Sequence, residues 1–139
     1  MAGIAVLGTG AWGTALARLV ALERIRSAQS LPGGLDDVGG VTLWEHRAER
    51  AVEMQWERVN RTYLPGFPLP ANLRVTSDLA DAVRGHDVLL LVTPSQQVRE
   101  NARLLAPLVA PGAVVVCGSK GLEIGTHLRL TQVMEQVLP

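Results

Sequence analysis

Apolar residues fall along this chain in short unbroken runs, separated by longer stretches in which they recur at helical spacing. Ile4–Leu7 is the first run and is closed by glycines; from Trp12 to about Ile25, Leu16, Leu19, Val20 and Leu22 suit one face of a helix. Val41–Trp44 is a second β-type run. Arg47 to about Asn60 is charged on most sides but carries Ala51, Val52, Met54 and Trp56, and reads as a helix. After a proline-rich turn, Tyr63–Pro70, come a strand over Leu73–Thr76 and a short helix, Asp78–Val83, with Ser77 as its N-cap. Asp87–Val92 is an unbroken aliphatic run of the kind shown by a strand covered on both faces. Val98–Leu108 returns to helical spacing and stops at Pro111-Gly112; Ala113–Cys117 is again a continuous apolar strand, and Arg129–Leu138 closes as a helix. Five strands separated by helices predict an α/β fold: a doubly wound, mainly parallel sheet with helices on both faces. Ser27–Gly40, with Pro32, four glycines, Asp36 and Asp37, reads as a surface-loop insertion between the first helix and the second strand.

Composition narrows the picture. The 139 residues, 47% of them hydrophobic, suffice for one domain with its own core. The single cysteine, Cys117, excludes a disulfide scaffold. Thirteen basic residues balance thirteen acidic ones, which argues against nucleic acid or an anionic membrane as a partner. The longest apolar runs fall far short of the roughly 20 residues that cross a bilayer. Met1-Ala2-Gly3 leads into the first strand without a basic or long apolar leader, and the expected setting is the cytoplasm.

The candidate chemistry sits where strands end. Gly8-Thr9-Gly10-Ala11-Trp12-Gly13 is a G-x-G-x-x-G between the first strand and the first helix, the context that a dinucleotide-binding, Rossmann-like turn requires. Gly8 permits the tight turn, Gly10 lets a diphosphate approach the backbone, and Gly13 lets the helix pack closely on the sheet. The helix N-terminus offers free amides and partial positive charge to phosphate oxygens. At the end of the second strand, Glu45 suits ribose hydroxyls and so NAD, whereas His46 and Arg47 suit a 2′-phosphate and so NADP; both remain open. Glu45 lies farther beyond Gly13 than the roughly 20 residues expected, and the insertion accounts for the excess. The last strand delivers Lys120 to the carboxyl edge of the sheet, where an ammonium can stabilise charge developing on a substrate carbonyl oxygen. Ser95 and Gln96 end the preceding strand in the same crevice, either lining the nicotinamide side or capping the next helix. Cys117 reads as a small core hydrophobe. His86 and His127 have no ligand-spaced partners, and no metal is expected.

Three stretches then carry a resemblance: Gly8 through Ala17; Asn60-Arg61-Thr62-Tyr63-Leu64-Pro65-Gly66 with Leu69-Pro70 and Asn72-Leu73; and Ser119-Lys120-Gly121-Leu122-Glu123. On these the chain resembles the N-terminal, NAD(P)-binding domain of NAD(P)-dependent glycerol-3-phosphate dehydrogenases, most closely the bacterial form. The resemblance implies an oxidoreductase catalysing reversible hydride transfer between NAD(P)H and dihydroxyacetone phosphate, giving sn-glycerol 3-phosphate for phospholipid synthesis. It implies cofactor contacts at Ala11, Trp12, His46 or Arg47, and Lys120, with Lys120 also meeting the substrate. Ala11 stands where relatives often carry serine, which leaves only backbone donors there. A second lysine and the substrate-phosphate contacts belong, on this resemblance, to a helical C-terminal domain beyond about Pro139. The chain is therefore expected to bind nucleotide without turnover, and an exposed patch near the final helix is expected to favour self-association. Two other readings compete: an NAD(P)-binding domain of the β-hydroxyacid dehydrogenase or ketopantoate-reductase type, and a stand-alone nucleotide-sensing module. Lys120-Gly121-Leu122-Glu123 and Tyr63-Leu64-Pro65-Gly66 argue against the first, and a lysine poised for a carbonyl argues against the second.

Overall fold

The apolar run Ile4–Leu7 (β1) is the centre of a five-stranded, wholly parallel sheet in a computed structural model that describes residues 3–34 and 39–139. Its neighbours are β2 (Val41–Trp44) and β6 (Val88–Leu91); β5 (Leu73–Thr76) and β7 (Val114–Cys117) form the two edges. The chain winds outward from β1 through β2 to β5, returns to pair β6 with β1, and winds outward again to β7. The reversal point therefore lies between β1 and β6, where open α/β sheets form their ligand crevice. The register is level: Leu7 pairs with Trp44 and Leu91, Trp44 with Thr76, and Leu91 with Cys117, which brings the five carboxyl ends to one edge.

Alternation along the strands supplies two cores. Ala5, Leu7, Leu89 and Leu91 face α3 (Leu79–Val83), α4 (Val98–Leu105) and α5 (Leu130–Glu135). Val6, Leu43, Leu73 and Val75 face α1 (Ala11–Ala28) and α2 (Ala48–Glu57). All five expected strands are present, with helices on both faces of the sheet; the edge strand β7 is covered on one face only, and Val114 and Val116 are exposed on the other.

The helices depart from expectation in instructive ways. Helix α1 runs on to Ala28, three residues beyond the expected end, and turns follow it; Leu35–Val38, the centre of the expected insertion, lie outside the described residues. Its buried face is Gly13, Thr14, Ala17, Ala21, Arg24 and Ala28; of the expected face, Leu16 and Val20 pack against the core while Leu19 and Leu22 are exposed. The glycine turn brings the start of the helix so close to the sheet that small side chains, Gly13, Thr14, Ala17 and Ala21, line its buried face there. On α2, Ala51 and Met54 are buried and Val52 and Trp56 are exposed; the helix ends at Glu57, not at Asn60. The N-cap of α3 is Asp78, whose carboxylate accepts from the Asp81 amide, rather than Ser77. Helix α4 tightens into a 3₁₀ turn over Ala106–Leu108, and α5 is confined to Leu130–Glu135.

The larger correction concerns the proline-rich segment. It is a two-stranded antiparallel ribbon, β3 (Val59–Asn60) with β4 (Leu64–Pro68), not a simple turn. Arg58 makes the reversal out of α2 in a left-handed conformation, φ 56°, and its guanidinium donates to the carbonyls of Pro70 (2.5 Å) and Leu73 (2.6 Å). Burial pushes the Arg58 pKa below its usual range, so these carbonyls stabilise a partly desolvated charge. Arg18 of α1 donates to Pro68 O at 2.8 Å and stacks on Phe67, and Arg50 of α2 stacks on Tyr63. The prolines that read as breakers are thus fastened by side chains from two helices.

At the other end of the sheet, Arg99 of α4 forms a bidentate pair with Glu123 (2.7 and 2.8 Å), and Thr126 donates to the same carboxylate. Arg99, and secondarily Thr126, hold the Glu123 carboxyl at about 2, against an ordinary 4.5. The folded state thereby favours the carboxylate, and the stabilisation is complete above the ordinary pKa and fades as the pH falls toward the folded value. Thermal melts of wild type and Glu123→Gln should differ by a constant amount from about pH 7 to about pH 5.5, and converge as the pH falls from about 4.5 to about 2. A difference that does not change with pH would show that the pair contributes nothing through its charge.

Candidate functional site

The glycines that join β1 to α1 serve two different ends. Gly8 has φ 127°, and a Cβ there would lie 2.2 Å from Val92 O; a Cβ on Gly13 would lie 2.1 Å from Gly8 O. Both positions are empty because the protein's own backbone fills the space. Gly10 is the opposite case: its φ is an ordinary −59°, and a Cβ there would meet nothing within 4 Å. The protein itself gives no reason for glycine at this position, and the open space above it is a cradle that a Cβ would fill. Gly10 is also the N-cap of α1 without a side-chain cap, and no acidic residue occupies the first turn. The amides of Ala11, Trp12 and Gly13 precede any carbonyl that the helix can offer them. Uncapped donors, partial positive charge and open space suit a diphosphate.

Behind this loop lies a buried polar cluster. The Thr9 hydroxyl donates to Glu45, and the Thr9 carbonyl accepts from Asn60 Nδ2 (2.7 Å) and Thr14 Oγ1 (3.2 Å). Asn60 Nδ2 also reaches Thr14 Oγ1 at 2.8 Å, and Asn60 Oδ1 accepts from the Tyr63 amide at 3.1 Å. Thr9, Thr14, Glu45 and Asn60 are all buried. Thr9, Thr14 and Asn60 carry no expected role; Asn60 does open the second of the resembling stretches, the one signal that could have singled it out.

Glu45 decides the end of β2. It is 1% exposed; its Oε1 accepts from the Arg47 amide (3.0 Å) and faces His46 Nδ1 (3.1 Å), and its Oε2 faces Thr9 and Arg50 (3.5 Å). Both oxygens are spent on the protein, so Glu45 is not a free acceptor for ribose hydroxyls. His46 and Arg47 are exposed at the same strand end, Arg47 being the N-cap of α2.

The crevice beyond β6 and β7 is laced by its own loops. Ser119 Oγ donates to Thr93 O (2.6 Å) and accepts from the Thr93 amide (3.1 Å). Gln96 Nε2 donates to Leu122 O (2.9 Å), and Gln96 Oε1 accepts from the Ile124 amide (2.9 Å). Gln96 therefore braces the Lys120 loop. Ser95 begins a 3₁₀ turn without capping it, and its hydroxyl accepts from Gln96 (3.0 Å). Between these ties Lys120 is exposed, and among the described residues its ammonium has no hydrogen-bond or ion-pair partner. Cys117 is half-buried against the first core, with its thiol toward Ser119 O at 3.8 Å.

Gly8, Gly10, Ala11, Trp12 and Gly13 thus share one loop, His46 and Arg47 stand at the end of the adjacent strand, and Lys120 stands on the loop after β7, two strands from β1 on the other side. A model of the NAD-dependent glycerol-3-phosphate dehydrogenase N-terminus matches residues 3–139. The chain is 44% identical over 136 residues to the glycerol-3-phosphate dehydrogenase [NAD(P)+] of Geobacter metallireducens, covering 98% of this chain and 36% of that protein. It is 42% identical over 134 residues to that of Mycobacterium leprae, covering 96% and 35%. The crystal structure of glycerol-3-phosphate dehydrogenase from Coxiella burnetii superposes with a TM-score of 0.82 at 34% identity, over 99% of this chain and 38% of the other. The chain spans little more than a third of the length of the curated relatives it matches. Its fold, its glycine loop and this match along nearly its full length agree: the chain belongs to the family of NAD-dependent glycerol-3-phosphate dehydrogenase N-terminal domains.

Proposed function

We propose that this chain is the dinucleotide-binding part of an enzyme that reduces dihydroxyacetone phosphate reversibly to sn-glycerol 3-phosphate, with NAD(P)H as cofactor. The observation that carries the reading is Gly10: an ordinary backbone conformation with open space where a side chain would sit, beside uncapped helix amides. The amides of Ala11, Trp12 and Gly13 hold the diphosphate, and Gly8 and Gly13 keep the loop close enough to the sheet to aim them. With Glu45 spent internally, Arg47 and the His46 ring are the groups left at the adenosine ribose end, an arrangement that accepts a 2′-phosphate. The cofactor supplies or takes up the hydride. Lys120, without a partner among the described residues and on a loop braced by Ser119 and Gln96, donates to the substrate carbonyl oxygen and stabilises the negative charge that develops there. Its role is electrostatic, and the substrate is a small phosphate ester.

The two classes of glycine separate binding from stability. Gly10→Val should melt within a few degrees of wild type yet bind NADH at least about tenfold more weakly in calorimetric titration, a loss of about 1.4 kcal/mol. Gly13→Ala should lose about 1–3 kcal/mol of stability in urea unfolding, because its Cβ is forced against Gly8 O. A Gly10→Val protein that binds NADH normally would remove the diphosphate from this loop. Arg47→Ala should weaken NADPH more than NADH in the same titration; equal losses would place the 2′-phosphate elsewhere. In an enzyme that carries this chain at the relatives' full length, Lys120→Ala should lower kcat by about 10²–10³. Unchanged kinetics would reduce Lys120 to a surface residue.

A further inference from the structure

We propose that Asn60 is a positioning residue that locks the Thr9–Gly10 peptide in the one orientation that turns its N–H toward the diphosphate. The inference rests on the nucleotide reading above and explains why a ribbon far along the chain is fastened to the glycine loop. The orientation of the Asn60 carboxamide is fixed by its backbone partners: Oδ1 must accept from the Tyr63 amide and Nδ2 must donate to the Thr9 carbonyl. Thr14 Oγ1 donates to the same carbonyl while accepting from Asn60, so both acceptor positions of Thr9 O are taken from the protein side. In a trans peptide the carbonyl and the following N–H point in opposite directions, and every described peptide here is trans. A Thr9 carbonyl drawn inward onto Asn60 and Thr14 therefore turns the Gly10 N–H outward, toward the side where a Gly10 Cβ would meet nothing.

The lock is needed because Gly10 is permissive. Glycine imposes little steric bias on the peptide that precedes it, and a flipped Thr9–Gly10 unit would present a carbonyl oxygen to the phosphates instead of a donor. Thr9 cannot follow such a flip while its hydroxyl is held by Glu45 and its carbonyl by Asn60. Asn60 itself cannot drift: it is 1% exposed, and its ribbon is pinned by Arg50 on Tyr63 and by Arg18 on Phe67 and Pro68. The ribbon that carries Asn60 thus acts on cofactor affinity without touching the cofactor.

The test is titration of the 139-residue chain with ADP-ribose, read by calorimetry, together with the ¹⁵N–¹H resonance of Gly10. Asn60→Asp keeps the volume and replaces the donor by an acceptor facing Thr9 O. It should weaken ADP-ribose at least about tenfold in folded protein and displace the Gly10 amide resonance, whereas a merely structural role would lower the melting temperature and leave both unchanged. Thr14→Ser keeps the hydroxyl and should bind like wild type, while Thr14→Val should lose affinity. An Asn60→Asp protein that is folded and binds within about twofold of wild type overturns the lock. Should Asn60→Asp fail to fold, the Thr14 pair decides: equal binding by Thr14→Ser and Thr14→Val overturns it. Failure of wild type itself to bind ADP-ribose would overturn the nucleotide reading first and the lock with it.

Discussion

Thr9 is the residue on which the carboxyl edge of this domain depends. It sits between two glycines, one forced by the β6 backbone and one by nothing in the protein, and its hydroxyl and carbonyl are both taken by side chains from distant parts of the chain. A buried hydroxyl or carbonyl without a partner costs on the order of 1–3 kcal/mol, so these ties determine which way the loop faces. With the polar groups of Thr9 committed inward, what the loop shows to solvent is its amides. The sheet beneath contributes the level strand ends, the close-packed alanine face of α1 contributes proximity, and the ribbon contributes the anchor.

Charge follows the same division between spent and unspent groups. Glu45 is buried with its carboxyl oxygens turned to the Thr9 hydroxyl, the Arg47 amide and Arg50. Arg99 and Glu123 satisfy each other. Among the described residues Lys120 has no partner, and Arg47 is exposed beside His46, whose ring faces Glu45. Two cations turned outward at this edge suit phosphate-bearing ligands.

Much of this was legible in the sequence because a parallel strand covered on both faces is largely apolar. Ile4–Leu7, Val41–Trp44 and Val88–Leu91 announce themselves that way, and G-x-G-x-x-G after the first of them fixes the crevice. The ribbon was not legible, because Pro65, Pro68 and Pro70 signal a turn and the contacts that hold the segment are side chains of two helices: Arg18, 50 residues before Pro68, and Arg50 of the preceding helix. The inward turn of Glu45 was hidden for the same reason: its partner Thr9 is 36 residues away, and a carboxylate at a strand end ordinarily points to water. The alanine face of α1 was masked by Leu19 and Leu22, whose helical spacing is as regular as that of the true packing face. The sequence locates the site by pattern; how the site is aimed depends on buried polar contacts that have no pattern.

A crystal structure of the chain with NADH tests the central claim most directly. The account predicts the diphosphate against the amides at the start of α1, over Gly10, with the Thr9 carbonyl still turned inward onto Asn60. A nucleotide seated elsewhere, such as the groove between α2 and β5 lined by Gln55, Trp56 and Thr76, or a Thr9 carbonyl facing the phosphates, would contradict it.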